Sequence, residues 1–257
     1  MSWRGGELEG RSVVVTGAGG GVGRGIALSC AAAGADVVVA SRHENGEETV
    51  ALITANGGAA AWVHCDVTVA ADVHAAVALA VERTGRLDGM VHNATSRRSG
   101  EPARLETVAD ALVDEHVAVS MRGAYLCATA ALPHLRESRG ALVTMTSPAG
   151  MEGSFMLPVY GTVKAALRGF TKSLAREWAP YGITVNTVSP LAMTPAMTYA
   201  WGEDPGLEAR TTSRVPLGWI GDPERDIGPP VVFLLGEGAR YVTGQTLVVD
   251  GGRFMNL

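Results

Sequence analysis

The sequence predicts an α/β fold, a doubly wound parallel sheet with helices on both faces. Two observations carry that reading. Short β-branched runs alternate along the chain with helical patterns of roughly 10–20 residues, the signature of βαβ units. The first of those runs ends in a glycine cluster that opens a helix. Composition agrees: of 257 residues, 47% are hydrophobic and 18% charged, too apolar for a disordered chain. A chain this long buries roughly three quarters of its unfolded surface, so it needs no disulfide or metal staple. No internal repeat, low-complexity tract or linker interrupts it, so the expectation is a single domain over residues 1–257.

In chain order, Ser12-Val-Val-Val-Thr16 is the first strand, and a helical pattern runs from the glycines through Ala33. Asp36-Val-Val-Val-Ala40 is the second strand, followed by a polar helix from Glu44 to Asn56. Ala59 to His64 reads as a strand, Ala71 to Arg83 as a helix and Leu87 to His92 as the fourth strand. A long helix is expected from Val108 to Leu132, with Pro133 at or just past its end because proline cannot continue the ladder. Ala141 to Thr146 is a strand, Val159 to Ala179 a helix and Ile183 to Val188 a strand. Leu191 to Gly221 lacks clean periodicity. Asp222 to Leu235 reads as a helix and Thr246 to Val249 as the last strand.

Two constellations carry chemistry. Thr16-Gly-Ala-Gly-Gly-Gly-Val-Gly23 lies between a strand and a helix, where glycines let the backbone approach a pyrophosphate and free N–H groups point at it. In a glycine-rich chain such a cluster is also compatible with a plain turn; the strand–glycine–helix order favours a nucleotide. The second is Ser147, Tyr160 and Lys164. On a helix, Tyr160 and Lys164 share one face. A cation there favours the phenolate and draws the tyrosine pKa from about 10 toward neutrality. Ser147 closes the fifth strand, at the edge where open α/β sheets bind ligands. Alone, Tyr-x-x-x-Lys is equally compatible with a solvated helix face.

Together these residues resemble the short-chain dehydrogenase/reductase family, over almost the whole chain, in its standard-length type resembling the 3-oxoacyl-carrier-protein reductases. Gly17, Gly21 and Gly23 match its Thr-Gly-x-x-x-Gly-x-Gly, which includes Val22. Asp66-Val67 resembles the pair that contacts the adenine ring, and Asn93-Ala94 the start of an Asn-Ala-Gly motif. Ser147, Tyr160 and Lys164 match the catalytic serine, tyrosine and lysine in order and spacing. Asn186, Pro190 and Thr194 resemble the segment that reaches the nicotinamide, and Asp250-Gly251-Gly252 the closing turn. Three positions depart from the pattern. Thr95 and Leu191 stand where glycines are usual, and Ser120 stands where the fourth helix carries the asparagine of the catalytic tetrad, which helps hold a water behind the lysine. Serine has a shorter reach.

The resemblance implies a Rossmann fold and hydride transfer between a nicotinamide and a carbonyl carbon. Ser147 would bond the carbonyl oxygen, Tyr160 would protonate it, and Lys164 would lower the tyrosine pKa and hold the ribose. Ser41 and Arg42 occupy the end of the second strand, where an acidic residue would bind a ribose 2′-hydroxyl. With no carboxylate there, NADP(H) is expected over NAD(H), Arg42 pairing with the 2′-phosphate unless it is simply a solvated loop residue. Arg24 is a second contributor. The expected partner is a small carbonyl or alcohol substrate. A homotetramer is expected through helices at Val108–Leu132 and Val159–Ala179; the stripe Val117, Met121, Tyr125 and Leu132 faces either a partner or the chain's own sheet. A lid at 191–221, with Met193, Met197, Tyr199, Trp201 and Trp219 opposite Met151, Phe155 and Met156, suggests a largely apolar substrate. Packing of an interface or of the lid itself is the other reading. The departures admit a second function class, a catalytically impaired dinucleotide-binding sensor or scaffold, which the intact Ser147, Tyr160 and Lys164 argue against.

Other classes are excluded by residue type. A net charge of −5 disfavours nucleic acid and anionic membrane as partners. No apolar run approaches a membrane span, and Met1 to Gly10 has no apolar h-region, so a cytoplasmic protein is expected. Cys30, Cys65 and Cys127 show no paired or zinc spacing and read as small core residues. The six histidines form no His-x-x-x-His pair, so no metal is expected. Ser154 lies in no Gly-x-Ser-x-Gly elbow, which disfavours a hydrolase. Arg97-Arg98 and Arg136 to Arg139 read as solvated loops, an acidic carrier protein being the minor alternative.

Overall fold

The structure, a computed structural model, describes residues 6–194, 197–198, 201–202 and 204–255. At its centre a parallel sheet runs in the order β3-β2-β1-β4-β5-β6-β7. The strands are β1 (Ser12–Thr16), β2 (Asp36–Ser41), β3 (Ala59–His64), β4 (Gly89–His92), β5 (Ala141–Met145), β6 (Thr184–Pro190) and β7 (Thr246–Val249). Chain order reverses between β1 and β4, so a crevice opens beyond their carboxyl ends. The described helices are α1 (Gly21–Ala32), α2 (Asn45–Ala55), α3 (Ala70–Thr84), α4 (Asp110–His116), α5 (Gly123–Ser138), α6 (Pro158–Trp178), α7 (Pro205–Thr212) and α8 (Gly228–Leu235). None is long and apolar enough to cross a membrane.

Alternate residues of each strand face opposite sides, and two cores result. Val13, Val15, Val37 and Val39 meet Ile26 and Cys30 of α1 and Val231 of α8. Val14, Val38 and Leu142 meet Val73 of α3, Leu135 of α5 and Trp178 of α6. Cys30, Cys65 and Cys127 are buried free thiols, as expected.

Two helices differ from the sequence expectation. The long fourth helix is interrupted by a π-helical turn at Val117–Arg122 and runs on through Pro133 to Ser138. Tertiary packing overrides proline there: Leu135 is fully buried, and Ser138 Oγ donates to the Leu87 carbonyl at 2.6 Å. The helix expected over Asp222 to Leu235 begins with a π-helical turn, Pro223–Ile227, capped by the Asp222 carboxylate. That turn sits on α1 so closely that a Cβ on Gly25 would lie 2.3 Å from the Pro223 carbonyl carbon. Within 191–221 the structure places α7 and a bridge joining Ala192 to Gly221.

Candidate active site

The glycine turn carries β1 into α1. Gly17 and Gly21 have φ of +66° and +52°, a region that a side chain would strain. A Cβ on Gly23 would fall 2.3 Å from the Gly17 oxygen and 2.4 Å from Asn93 Nδ2. That closeness lets Asn93 Nδ2 donate to the Thr16 carbonyl at 3.0 Å, while Thr16 Oγ1 accepts from the backbone N–H groups of Asn93 and Ala94. Asn93 and Ala94 therefore brace the turn. Helix α1 starts at Gly20 with no side-chain cap and no acidic residue in its first turn, so its leading N–H groups are directed at an anion-sized ligand. Val22 packs on the core beneath. This backbone chemistry fits a dinucleotide pyrophosphate.

At the end of β2, Ser41 is buried; its hydroxyl donates to the His43 carbonyl and accepts from Trp62 Nε1. Arg42 is half-exposed and forms a loose 3.8 Å ion pair with Asp66. Burial raises the Asp66 pKa, but two hydrogen bonds from Thr68 and the nearby Arg42 and His64 bring it below the usual carboxylate value. Arg24 is committed elsewhere, to Glu48, Thr49 and the Gly19 carbonyl. Asn45, which sequence reasoning missed, closes over Gly19, where a Cβ would lie 2.3 Å from its Oδ1. Val67 is buried under Gly123.

Ser147 follows β5, and Tyr160 and Lys164 rise on one face of α6. Lys164 is 4% exposed, and its Nζ donates to the Met145 carbonyl at 2.9 Å and lies 5.6 Å from the centre of the Tyr160 ring. Burial pushes the Lys164 amine down to about 8. Burial also raises the Tyr160 hydroxyl above the usual phenol value, with a hydrogen bond from Ser147 pulling the other way. The lowered tyrosine pKa expected from the Tyr160–Lys164 spacing is thus not what this geometry delivers. Desolvation of the Tyr160 hydroxyl outweighs the hydrogen bond with Ser147.

Opposite Tyr160 lies the π-helical turn, a helix irregularity frequent at functional sites. It carries Ser120, fully buried, with an unpartnered Oγ. Its carbonyl accepts from His92 Nε2 at 3.1 Å. Burial, with the Lys164 charge, pushes His92 down to about 3, so the ring is neutral and Nδ1 faces Thr16 Oγ1 and Cys127 Sγ. His116, just before the turn, packs on Tyr160 with ring centres 6.1 Å apart. His92 closes its strand as the buried structural histidine its position there suggests, whereas His116 was not identified from the sequence, because its element reads as ordinary helix.

The remaining expected positions are scattered along the same edge. Pro190 ends β6, and Thr194 Oγ1 accepts from the Met197 N–H at 3.3 Å. Asn186 instead ties β6 to the segment before β7, donating to the Val242 carbonyl and accepting from the Gln245 N–H. Asp250 accepts from Gly252 and Phe254 N–H groups and closes the last turn. Phe155 and Trp219 are exposed, at 84% and 53%. Tyr199 lies outside the described residues.

An open parallel sheet with an uncapped glycine turn and a part-buried serine and tyrosine beside a buried lysine is the arrangement of a nicotinamide oxidoreductase, and the chain belongs to the short-chain dehydrogenase/reductase family. The family profile described as Enoyl-(Acyl carrier protein) reductase matches residues 17–253. The chain is 34% identical to 2,5-dichloro-2,5-cyclohexadiene-1,4-diol dehydrogenase of Sphingobium indicum, over 96% of this chain and 98% of that one. It is 35% identical to the 3-oxoacyl-[acyl-carrier-protein] reductase FabG of Staphylococcus aureus, covering 95% and 98% of the two chains. A solved structure assigned as an NAD(P)-dependent gluconate 5-dehydrogenase of Beutenbergia cavernae, with NADP bound at low occupancy, superposes with a TM-score of 0.87 at 33% identity, covering 96% and 97%. The protein is an NAD(P)-dependent enzyme of carbonyl–alcohol chemistry acting on small molecules.

Proposed function

We propose that this enzyme interconverts a largely apolar carbonyl compound and its secondary alcohol, with NADP(H) in preference to NAD(H). The observation that carries the reading is the meeting of Ser147, Tyr160 and Lys164 on one side of the glycine turn. The dinucleotide would lie on the turn at Gly17, Gly21 and Gly23, with Asp66 and Val67 on its adenine side, Lys164 at its ribose, and Pro190 and Thr194 toward the nicotinamide. When bound it supplies the hydride. Ser147 Oγ–H donates to the substrate carbonyl oxygen. Tyr160 gives up its Oη proton to that oxygen as charge develops on it. Burial keeps the proton on Tyr160 Oη in the protein without bound ligands. Ser120, near this group, is assigned a lesser role than the family asparagine. NADPH consumption over a panel of ketones, beside a Tyr160→Phe control, tests the assignment; near-normal turnover by that variant removes it.

The absence of a carboxylate at Ser41 and the half-exposed guanidinium of Arg42, held only loosely by Asp66, support NADP(H). Equal or tighter binding of NADH in calorimetry removes that preference. The exposed Phe155 and Trp219, with the part-buried Met151, Met156, Met193, Met197 and Trp201, support an apolar substrate under a lid at 191–221. The value of kcat/KM then rises with the apolar size of a ketone series, and far better turnover of polyols sinks the idea. Val117, exposed at the start of the π-helical turn, and Tyr125, exposed on α5, support the homotetramer, whereas Leu132 packs inward. Light scattering at micromolar concentration tests it. A single domain, the last of these proposals, predicts one cooperative unfolding transition.

A further inference from the structure

Two buried polar atoms near Tyr160 have no partner among the described residues: His116 Nδ1 and Ser120 Oγ. The two side chains lie about one turn apart along the helix interrupted by the π-helical turn. Buried polar groups are nearly always paired, and each exception calls for a reason. His116 is only 2% exposed, so bulk water does not satisfy it. Its ring is tilted 59° against the Tyr160 ring. The charged groups around it are Glu115 on its own helix, Lys164 on α6, and Arg98 and Glu101 on the segment after β4. Glu115 itself accepts from Ser96 Oγ at 2.6 Å, which fixes that segment to the helix. Burial, opposed by Glu115 and aided by Lys164, lowers the His116 pKa and leaves the ring neutral with acceptor capacity.

Resting on the reading of Tyr160 as proton donor, we propose that His116 is a positioning residue of this reaction: with Ser120 Oγ it holds the water that returns a proton to Tyr160 after each turnover. The step balances with solvent alone. In carbonyl reduction the Tyr160 Oη–H bond breaks and the product O–H bond forms. The tyrosinate then takes a proton from the held water. The hydroxide left behind takes a proton from solvent, His116 Nδ1 and Ser120 Oγ holding it in place meanwhile. In alcohol oxidation the same transfers run backwards. An apolar side chain at position 116 would pack on Tyr160 without leaving an orphaned nitrogen.

The test uses the best substrate of the ketone series and three variants. His116→Phe keeps a ring against Tyr160 and removes both nitrogens. Its kcat falls about 10- to 100-fold while KM for NADPH stays within about twofold and the pH profile of kcat shifts. In His116→Ala, added imidazole restores kcat in proportion to its concentration. In the unaltered enzyme, steady-state kcat in mixtures of H2O and D2O bows downward, as more than one proton moves per cycle; this measurement stands even where a variant fails to fold. A His116→Phe kcat within twofold of the parent with an unchanged pH profile overturns the proposal, as does a linear dependence on deuterium content. Tyr160→Phe separates the two readings: if it is inactive while His116→Phe is normal, only the role of His116 falls, and if Tyr160→Phe is active, the donor assignment falls first.

Discussion

The glycine turn after β1 and the helices that carry Ser120, His116 and Tyr160 border the same crevice on opposite terms. In the turn, backbone meets side chain at distances only glycine permits, and Thr16 and Asn93 spend their hydrogen bonds bracing it. Across the crevice, His116 and Ser120 keep buried polar atoms without partners among the described residues, and Lys164 sits where burial opposes its charged form, as does His92 between the two regions. The turn is optimised for one shape. The helical side retains groups that cost stability, which is where chemistry is expected to reside.

The sharpest way to separate the two regions is to remove one proton. Tyr160→Phe should lower kcat about 1000-fold while leaving the cofactor Kd within about twofold, whereas Lys164→Ala should impair both. Stopped-flow turnover and calorimetry measure the split, and a parallel loss of binding in the phenylalanine variant would merge the two regions.

Gly23→Ala attacks the other side. Its new Cβ would press on the Gly17 oxygen and on Asn93 Nδ2. The backbone must shift, so cofactor affinity should fall about 100-fold, worth about 2.7 kcal/mol. Retained affinity in calorimetry would show that the turn yields more than its contacts suggest.

Acidification probes the helical side through stability. His92 has its pKa pushed from 6.5 to about 3 by folding, so between those values the unfolded chain binds the extra proton. Stability therefore rises with pH across that window and is lost as pH falls through it, by about 2 kcal/mol between pH 6.5 and 5. Urea midpoints measure the slope, and His92→Asn should flatten it. A slope unchanged by that substitution assigns the acid sensitivity elsewhere.

The smallest effect is the most diagnostic of unpaired groups. Ser120→Ala removes a buried hydroxyl with no protein partner among the described residues, so it should change stability by less than about 1 kcal/mol while lowering kcat. A larger loss of stability would mean that a protein group, and not only a held water, satisfies the hydroxyl.

Much of this was legible in the residues alone, and the misses follow a pattern. The seven strands were placed to within two residues because β-branched runs are local signals. The glycine turn and the Ser147, Tyr160 and Lys164 group were legible because spacing within one turn or one helix is local too. Pro133 misled because a proline reads as a stop, while the burial of Leu135 decides otherwise. His116 was passed over because a histidine in a helix carries no pattern of its own.

By itself the sequence determined the alternation of strands and helices, the uncapped turn and the face shared by Tyr160 and Lys164, all set by interactions between near neighbours in the chain. Only the tertiary structure decided that Arg42 faces Asp66 and that Gly25 receives Pro223. It alone decided, too, that Lys164 donates a hydrogen bond to the Met145 carbonyl and that His92 reaches the Ser120 carbonyl. Those contacts join residues brought together by the parallel sheet, and the direction of the tyrosine pKa follows from the burial they create, which no spacing along the chain encodes.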